Sequence, residues 1–208
     1  MVKVGIAGIG FMGMIHYLAY QKIKGVKVAA LCEVDEKRLA GDWTGIKGNF
    51  GPAGKQMDLS GIARYTRLDE MLADPKLDMV DLCLPPGAHA AATIAALKAG
   101  KQVFCEKPIA LKTSDGRRMV KTAQETGRML MIGHVLPFFP EYAFAHKTVT
   151  DGTYGRLLGG HFKRNMVKFG YCGSILRKHR SRAHWPRHQS IRGAGADSSG
   201  QTVETTAS

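Results

Sequence analysis

Over its first 134 residues the chain repeats one pattern, a short continuous apolar run followed by a segment with helical spacing. The apolar runs are VKVGIAG (2–8), VKVAALC (26–32), DMVDLCLP (78–85), QVFC (102–105) and MLMIG (129–133). Between them lie GMIHYLAYQKI (13–23), LDEMLAD (68–74), HAAATIAALKAG (89–100) and TSDGRRMVKTAQETG (113–127). Gly25, Gly100 and Gly127 predict helix ends, and Thr113 and Ser114 predict a capped start. Residues 41–61, rich in Gly and polar side chains, predict a long surface loop. Strands that are apolar on both faces and alternate with helices predict a parallel sheet covered on both sides. The expected fold class is therefore α/β, a doubly wound parallel sheet.

Past Gly133 the pattern weakens. FFPEYAFAHKTV (138–149) predicts one more helix and GRLLGGHFKR (155–164) one more strand. After Arg164 there is no sustained period and few aliphatic residues, a composition that buries too little apolar surface to offset ordering entropy. The expected organisation is an α/β domain over 1–134, the beginning of a second α+β domain over 135–164, and an irregular basic tail over 165–208. The net charge of +13 is densest in that tail, where seven Lys and Arg face two acids. Nowhere does an apolar run reach the roughly 18 residues of a membrane span, and the amino terminus lacks a signal-peptide pattern. Four widely spaced cysteines without a CxxC pair suit reduced thiols, so a cytoplasmic location is expected.

Gly8-Ile9-Gly10-Phe11-Met12-Gly13 is a GxGxxG between the first strand and the first helix. Gly8 allows the tight turn, Gly10 lets the backbone approach a pyrophosphate, and Gly13 lets helix and strand pack closely. The helix then offers unpaired N–H groups and its positive dipole end to phosphate. Glu33 ends the second strand 20 residues after Gly13, where an acid accepts ribose hydroxyls and repels a 2′-phosphate. NAD is thus favoured over NADP as cofactor. Asp35 competes for that role, its other reading being the cap of a short helix.

A second motif, Glu106-Lys107-Pro108, ends the strand 102–105. If that strand lies second from the first, the separation is about 10 Å, two strand spacings. That is roughly the reach from a bound pyrophosphate to the nicotinamide. Lys107 could then polarise a substrate hydroxyl or carbonyl, with Glu106 holding it; a solvated ion pair is the bland alternative. Pro108 fixes the chain's exit in either peptide isomer.

Together VGIAGIGFMG, LCLPPGAHAAATIAALKAGKQVFCEKPIA and GHVLPFFPEY, spread over residues 4–142, resemble the Gfo/Idh/MocA oxidoreductase family. The resemblance implies a Rossmann domain, a nicotinamide cofactor and hydride transfer to or from a sugar, inositol or related polyol. It makes Lys107 the catalytic lysine, with Glu106 and Pro108 shaping its surroundings. Leu84-Pro85-Pro86 with His89 resembles the loop beside the cofactor; His89 reads equally as a first-turn residue of an exposed helix. Gly133 and His134 match the hinge into the second domain, and Pro137 stands where many members carry Arg. Members continue past 155–164 into a large open sheet whose GG…D…H stretch completes the substrate site, and they commonly form homo-oligomers through it. Here Gly159-Gly160 meets no Asp before Asp197. The expectation is a chain truncated or frame-shifted after about residue 164, with doubtful catalysis of its own. Two other readings are a non-catalytic dinucleotide-binding module and, weakest, nucleic-acid binding by RKHRSRAHWPRH (177–188), which carries charge but no recognised fold motif.

Overall fold

In the computed structural model of the chain, residues 1–48, 50–162 and 191–192 are described. The chain divides into two compact units, Met1–His134 and Val135–Ser208. The first holds strands β1 (Val2–Ala7), β2 (Val26–Cys32), β3 (Ala63–Tyr65), β4 (Met79–Leu82), β5 (Gln102–Cys105) and β6 (Leu130–Ile132). Its helices are α1 (Phe11–Tyr20), α2 (Glu36–Leu39), α3 (Leu68–Ala73), α4 (His89–Lys98) and α5 (Thr113–Thr126). The strand order is β3-β2-β1-β4-β5-β6, and all five pairings are parallel. This is the doubly wound α/β sheet expected, with β5 second from β1.

Side chains leave the sheet on both faces. Val4, Ile6, Val28 and Leu31 pack with Met14 and Tyr17 of α1 on one side. Ala7, Ala30, Val80, Leu82 and Val103 pack with Ala92, Ala96 and Leu97 of α4 and Met119 of α5 on the other. Each large aliphatic side chain buried this way contributes about 1.5–3 kcal/mol.

Local differences from expectation have local causes. Helix α1 stops at Tyr20 rather than near Gly25, because Lys22 and Ile23 donate to carbonyls three residues back and tighten the chain into a turn. Thr113 is the first residue of α5, not its cap; Lys112 precedes it and gives no side-chain cap bond. Gly127 does close α5 in the left-handed region, at φ 62°. The short β3 carries no apolar run in the sequence, and its three residues are only half-buried or exposed.

The segment 41–61 departs most. Trp43, Ile46 and Leu59 are buried in the core beside α1, so the segment is a packed wrap and not a surface loop. The Trp43 indole N–H donates to the Arg38 carbonyl at 2.8 Å, and its ring meets Tyr17 edge-on at 5.0 Å. Polar and glycine-rich composition concealed three apolar anchors.

In the second unit, α6 (Pro140–Thr150) follows a short 3₁₀ turn, and β7 (His161–Phe162) pairs antiparallel with β8 (Ile191–Arg192). Of the strand expected over 155–164, the described residues 155–160 are not in a strand, as glycines at 155, 159 and 160 weaken strand pairing, and β7 occupies His161–Phe162. The tail expected to be irregular, 165–208, lies outside the described residues apart from β8.

Replacing Trp43 by Ala is expected to cost about 3–5 kcal/mol, read from the urea midpoint. A loss below about 1 kcal/mol would show that the 41–61 segment does not pack on α1.

Candidate active site at the strand ends

The parallel ladders align one row across the sheet. Ala7 pairs with Cys32 and with Leu82, Leu82 with Cys105, and Cys105 with Ile132. One residue further along each strand stand Glu33, Gly8, Cys83, Glu106 and Gly133. Their backbone N–H groups still donate across the sheet: Gly8 to Cys32, Cys83 to Ala7, Glu106 to Leu82 and Gly133 to Cys105. Residues from both sequence motifs therefore sit level with one another at the carboxyl edge, where ligands bind in open α/β sheets.

At β1 the glycines divide their tasks. Gly8 has φ +90°, and a Cβ on Gly13 would lie 2.0 Å from the Gly8 carbonyl oxygen. A Cβ on Gly10 would meet nothing within 4 Å. The first two thus serve close packing, while Gly10 leaves open space before the α1 amino terminus. That end has no side-chain cap and no acid in its first turn, so its N–H groups are free for an anion. This cradle fits a dinucleotide pyrophosphate.

Within the motif, Ile9 is buried, and Phe11 stacks edge-on against Phe50 at 4.8 Å, turned to the 41–61 wrap. Met12 is partly buried. The Glu33 carboxylate accepts the Ile9 N–H at 2.6 Å through one oxygen and the Val34 and Asp35 N–H groups at 2.8 and 3.1 Å through the other. It is held beside the glycine turn, where lone pairs remain for ribose hydroxyls. Asp35 caps α2 by accepting from Lys37 and Arg38 N–H. Arg38, which sequence reasoning passed over, donates to the Ile9 carbonyl at 3.3 Å and approaches Asp35 at 3.4 Å.

At β4, Pro85 is exposed in the loop leading to α4. His89 is fully buried, against its reading as an exposed first-turn residue. Its ring nitrogens lie 2.7 Å from the Pro108 carbonyl oxygen and 2.8 Å from that of Leu84, joining the loops after β4 and β5. At β5, Lys107 and Pro108 are exposed, and the peptide between them is cis. Glu106 is buried, and its Oε2 accepts the Lys107 backbone N–H at 3.0 Å. Its side-chain ion partner is not the lysine ammonium but a histidine.

That histidine is His16 of α1, a residue the motifs did not single out. Its Nδ1 lies 2.9 Å from Asp81 Oδ2 and its Nε2 3.3 Å from Glu106 Oε1. Asp81, fully buried on β4, also accepts from the Tyr20 hydroxyl at 2.9 Å. Two signals marked this cluster: an acid inside an otherwise apolar strand, and His16 and Tyr20 four apart on one helix face. Burial alone would lower the His16 pKa, yet hydrogen bonds to Asp81, Cys83 and Glu106 outweigh it and hold the ring well above its ordinary 6.5. Burial opposes ionisation of Glu106 too, but His16 and the Lys107 N–H bring its carboxyl below the usual range. Burial pushes the Cys83 thiol up to about 12, so it remains protonated. Ligand atoms of His16, Asp81 and Cys83 lie within 4.8 Å of one another, and both His16 ring nitrogens face carboxylate oxygens, Nδ1 that of Asp81 and Nε2 that of Glu106.

Both shifts link stability to pH. His16, raised from 6.5, stabilises fully below about pH 6.5, and that contribution is lost as pH climbs through its folded value. Glu106, lowered from 4.5, stabilises fully above about pH 4.5 and loses its share as pH falls through its folded value. The unfolding midpoint is expected to fall between about pH 6 and pH 9, and to fall less steeply in Asp81→Asn. Equal slopes in the two proteins would count against a charged His16.

Residues 2–134 match the Gfo/Idh/MocA family, described as an oxidoreductase family with an NAD-binding Rossmann fold. The chain is 34% identical over 160 residues to the inositol 2-dehydrogenase/D-chiro-inositol 3-dehydrogenase of Lactiplantibacillus plantarum, covering 75% of this chain and 42% of that protein. It is 40% identical over 98 residues to the 2,7-anhydro-N-acetylneuraminate hydratase of Escherichia coli, covering 47% of this chain and 26% of that one. Scyllo-inositol dehydrogenase from Lactobacillus casei, solved with bound cofactor NAD(H) and scyllo-inositol, aligns with a TM-score of 0.63 at 26% identity. That alignment covers 77% of this chain and 43% of that one. The chain spans less than half the length of these relatives. No helix among the described residues is long and apolar enough to cross a membrane. On its glycine turn, its parallel strand order and the match over 2–134, the chain belongs to the Gfo/Idh/MocA oxidoreductase family, through that family's NAD-binding Rossmann fold.

Proposed function

We propose that residues 1–134 bind NAD(H) at the carboxyl edge of the sheet and that Lys107 serves proton transfer in the oxidation of an inositol-like polyol. The observation that carries this reading is the common level of Gly8, Glu33 and Glu106, one residue beyond a single row of paired strand residues. The open space at Gly10 and the uncapped α1 amino terminus receive the pyrophosphate. Glu33 accepts the adenosine ribose hydroxyls and disfavours a 2′-phosphate, which selects NAD over NADP. Bound there, the nicotinamide supplies the acceptor for a hydride.

Lys107 stands two strands from β1, about 10 Å away in a sheet of ordinary spacing. Its exposed ammonium can hold a hydrogen bond to a substrate hydroxyl and exchange a proton with it. The polyol reading draws on two relatives named as inositol dehydrogenases. The hydratase relative shows that likeness in this domain alone does not fix a substrate.

NADH fluorescence titration tests the cofactor reading. Wild type is expected to bind NADH in preference to NADPH, and Glu33→Ala to lose that preference. Gly10→Ala is expected to weaken NADH binding by about tenfold while its thermal midpoint holds. Gly13→Ala, in contrast, is expected to lose about 2 kcal/mol or more of stability by backbone overlap. No NADH binding by wild type would end this reading.

Lys107→Ala is expected to retain NADH affinity and abolish NAD reduction by myo-inositol or scyllo-inositol. Binding by wild type without any turnover would instead mark a dinucleotide-binding module.

A further inference from the structure

We propose that His16 is a positioning residue: held between Asp81 and Glu106, its ring locks the turn that presents Lys107 to the helix that begins at the glycine turn. This rests on the reading of Lys107 as the residue that meets substrate. Three elements converge on the ring. Asp81 comes from β4, Glu106 from the end of β5, and His16 and Tyr20 from α1. Cys83 Sγ lies 3.2 Å from Nδ1, and Phe104 meets the ring edge-on with centroids 5.5 Å apart.

Both ring nitrogens face carboxylate oxygens, at 2.9 and 3.3 Å, and carboxylates only accept. Only the imidazolium satisfies both at once. Glu106 divides its two oxygens, Oε1 to the ring and Oε2 to the Lys107 backbone N–H. Fixing the first oxygen fixes the rotamer, and the rotamer fixes the peptide that carries Lys107. Gly133 leaves the room this needs, since a Cβ there would lie 3.1 Å from Glu106 Oε1. Within the same helix, the turn that starts at Gly10 and the turn bearing His16 are successive. The glycine cradle and the lysine turn are therefore referred to one rigid element, the arrangement a hydride transfer requires of cofactor and proton-handling group.

The titratable groups around the ring are Asp81, Glu106, Cys83 and Tyr20, with the Lys107 ammonium acting on Glu106 from beyond it. Asp81 and Glu106 favour the cation. Burial keeps Cys83 and Tyr20 neutral, so neither competes as an anion.

Nitrogen-15 NMR of the full chain tests the proposal without relying on turnover. In wild type at about pH 8, where an ordinary histidine is neutral, both His16 ring nitrogens are expected to carry protons. The Lys107 amide proton is expected downfield and slowly exchanging. In His16→Gln and in Glu106→Met, which has no acceptor for the Lys107 N–H, its exchange should quicken at least about tenfold, the share of one hydrogen bond to a charged group. The double variant should add little to either single change. If His16→Gln does not fold, the wild-type ring signals and Glu106→Met, similar in size to the acid it replaces, decide alone. A neutral His16 ring, or Lys107 exchange unchanged in Glu106→Met, would overturn the proposal. So would stoichiometric cobalt(II) binding with thiolate absorption, because ligation takes the ring in its neutral form. Failure of wild type to bind NADH while these signals appear would remove the oxidoreductase reading and leave the clamp standing.

Discussion

Parallel pairing in a single register is the constraint on which the rest of this molecule depends. Parallel neighbours cannot be joined by tight turns, so each strand must return through a crossover, and every strand then ends at the same edge. With Ala7, Leu82 and Cys105 paired in one row, the residues after them have no choice but to share a level. A slip of one residue in β5 would turn Glu106 to the opposite face and carry Lys107 away from the glycine turn. The site is thus a consequence of backbone hydrogen bonding before any side chain contributes to it.

Charge is then placed on that edge in two different ways. Lys107 is left exposed, with its ammonium outside the ion-pair distance of Glu106. His16, Asp81 and Glu106 are taken inside, where an unpaired charge would cost several kcal/mol. Burial is tolerable because each carboxylate has the cation as partner and further donors besides, Tyr20 for Asp81 and the Lys107 N–H for Glu106. Removing one member of such a cluster leaves a buried charge uncompensated, at a cost of about 3–5 kcal/mol.

Much of this was legible in the chain and some was not. Strand and helix alternation, Gly8, Gly10 and Gly13, the α2 cap at Asp35 and the strand-end place of Lys107 all follow from local pattern. The 41–61 segment misled because mean composition hides three anchors: Trp43, Ile46 and Leu59 recur with no period that a helix or strand would impose. Of the two readings of His89, the exposed first-turn one fails for a related reason, as the helix start is covered by carbonyls of the loop just before it and of the loop after β5. Glu106 was paired with Lys107 because they are adjacent, yet successive residues at a strand end point in different directions. The cation that Glu106 meets comes from ninety residues away.

By itself the sequence determined the fold class, the glycine cradle and the residue types available for chemistry, because periodicity, turn requirements and strand-end motifs are local properties of the chain. Only the tertiary structure decided which charges are paired. Asp81 and His16 each carry a local signal in the chain, an acid in an apolar strand and a histidine on a helix face, but nothing in the chain joins the two. They acquire a role when β1-β4-β5 adjacency and the packing of α1 on the sheet bring them within 2.9 Å in a site that water scarcely reaches. Electrostatic energy depends on distance and on surrounding dielectric, and neither is a property of sequence position.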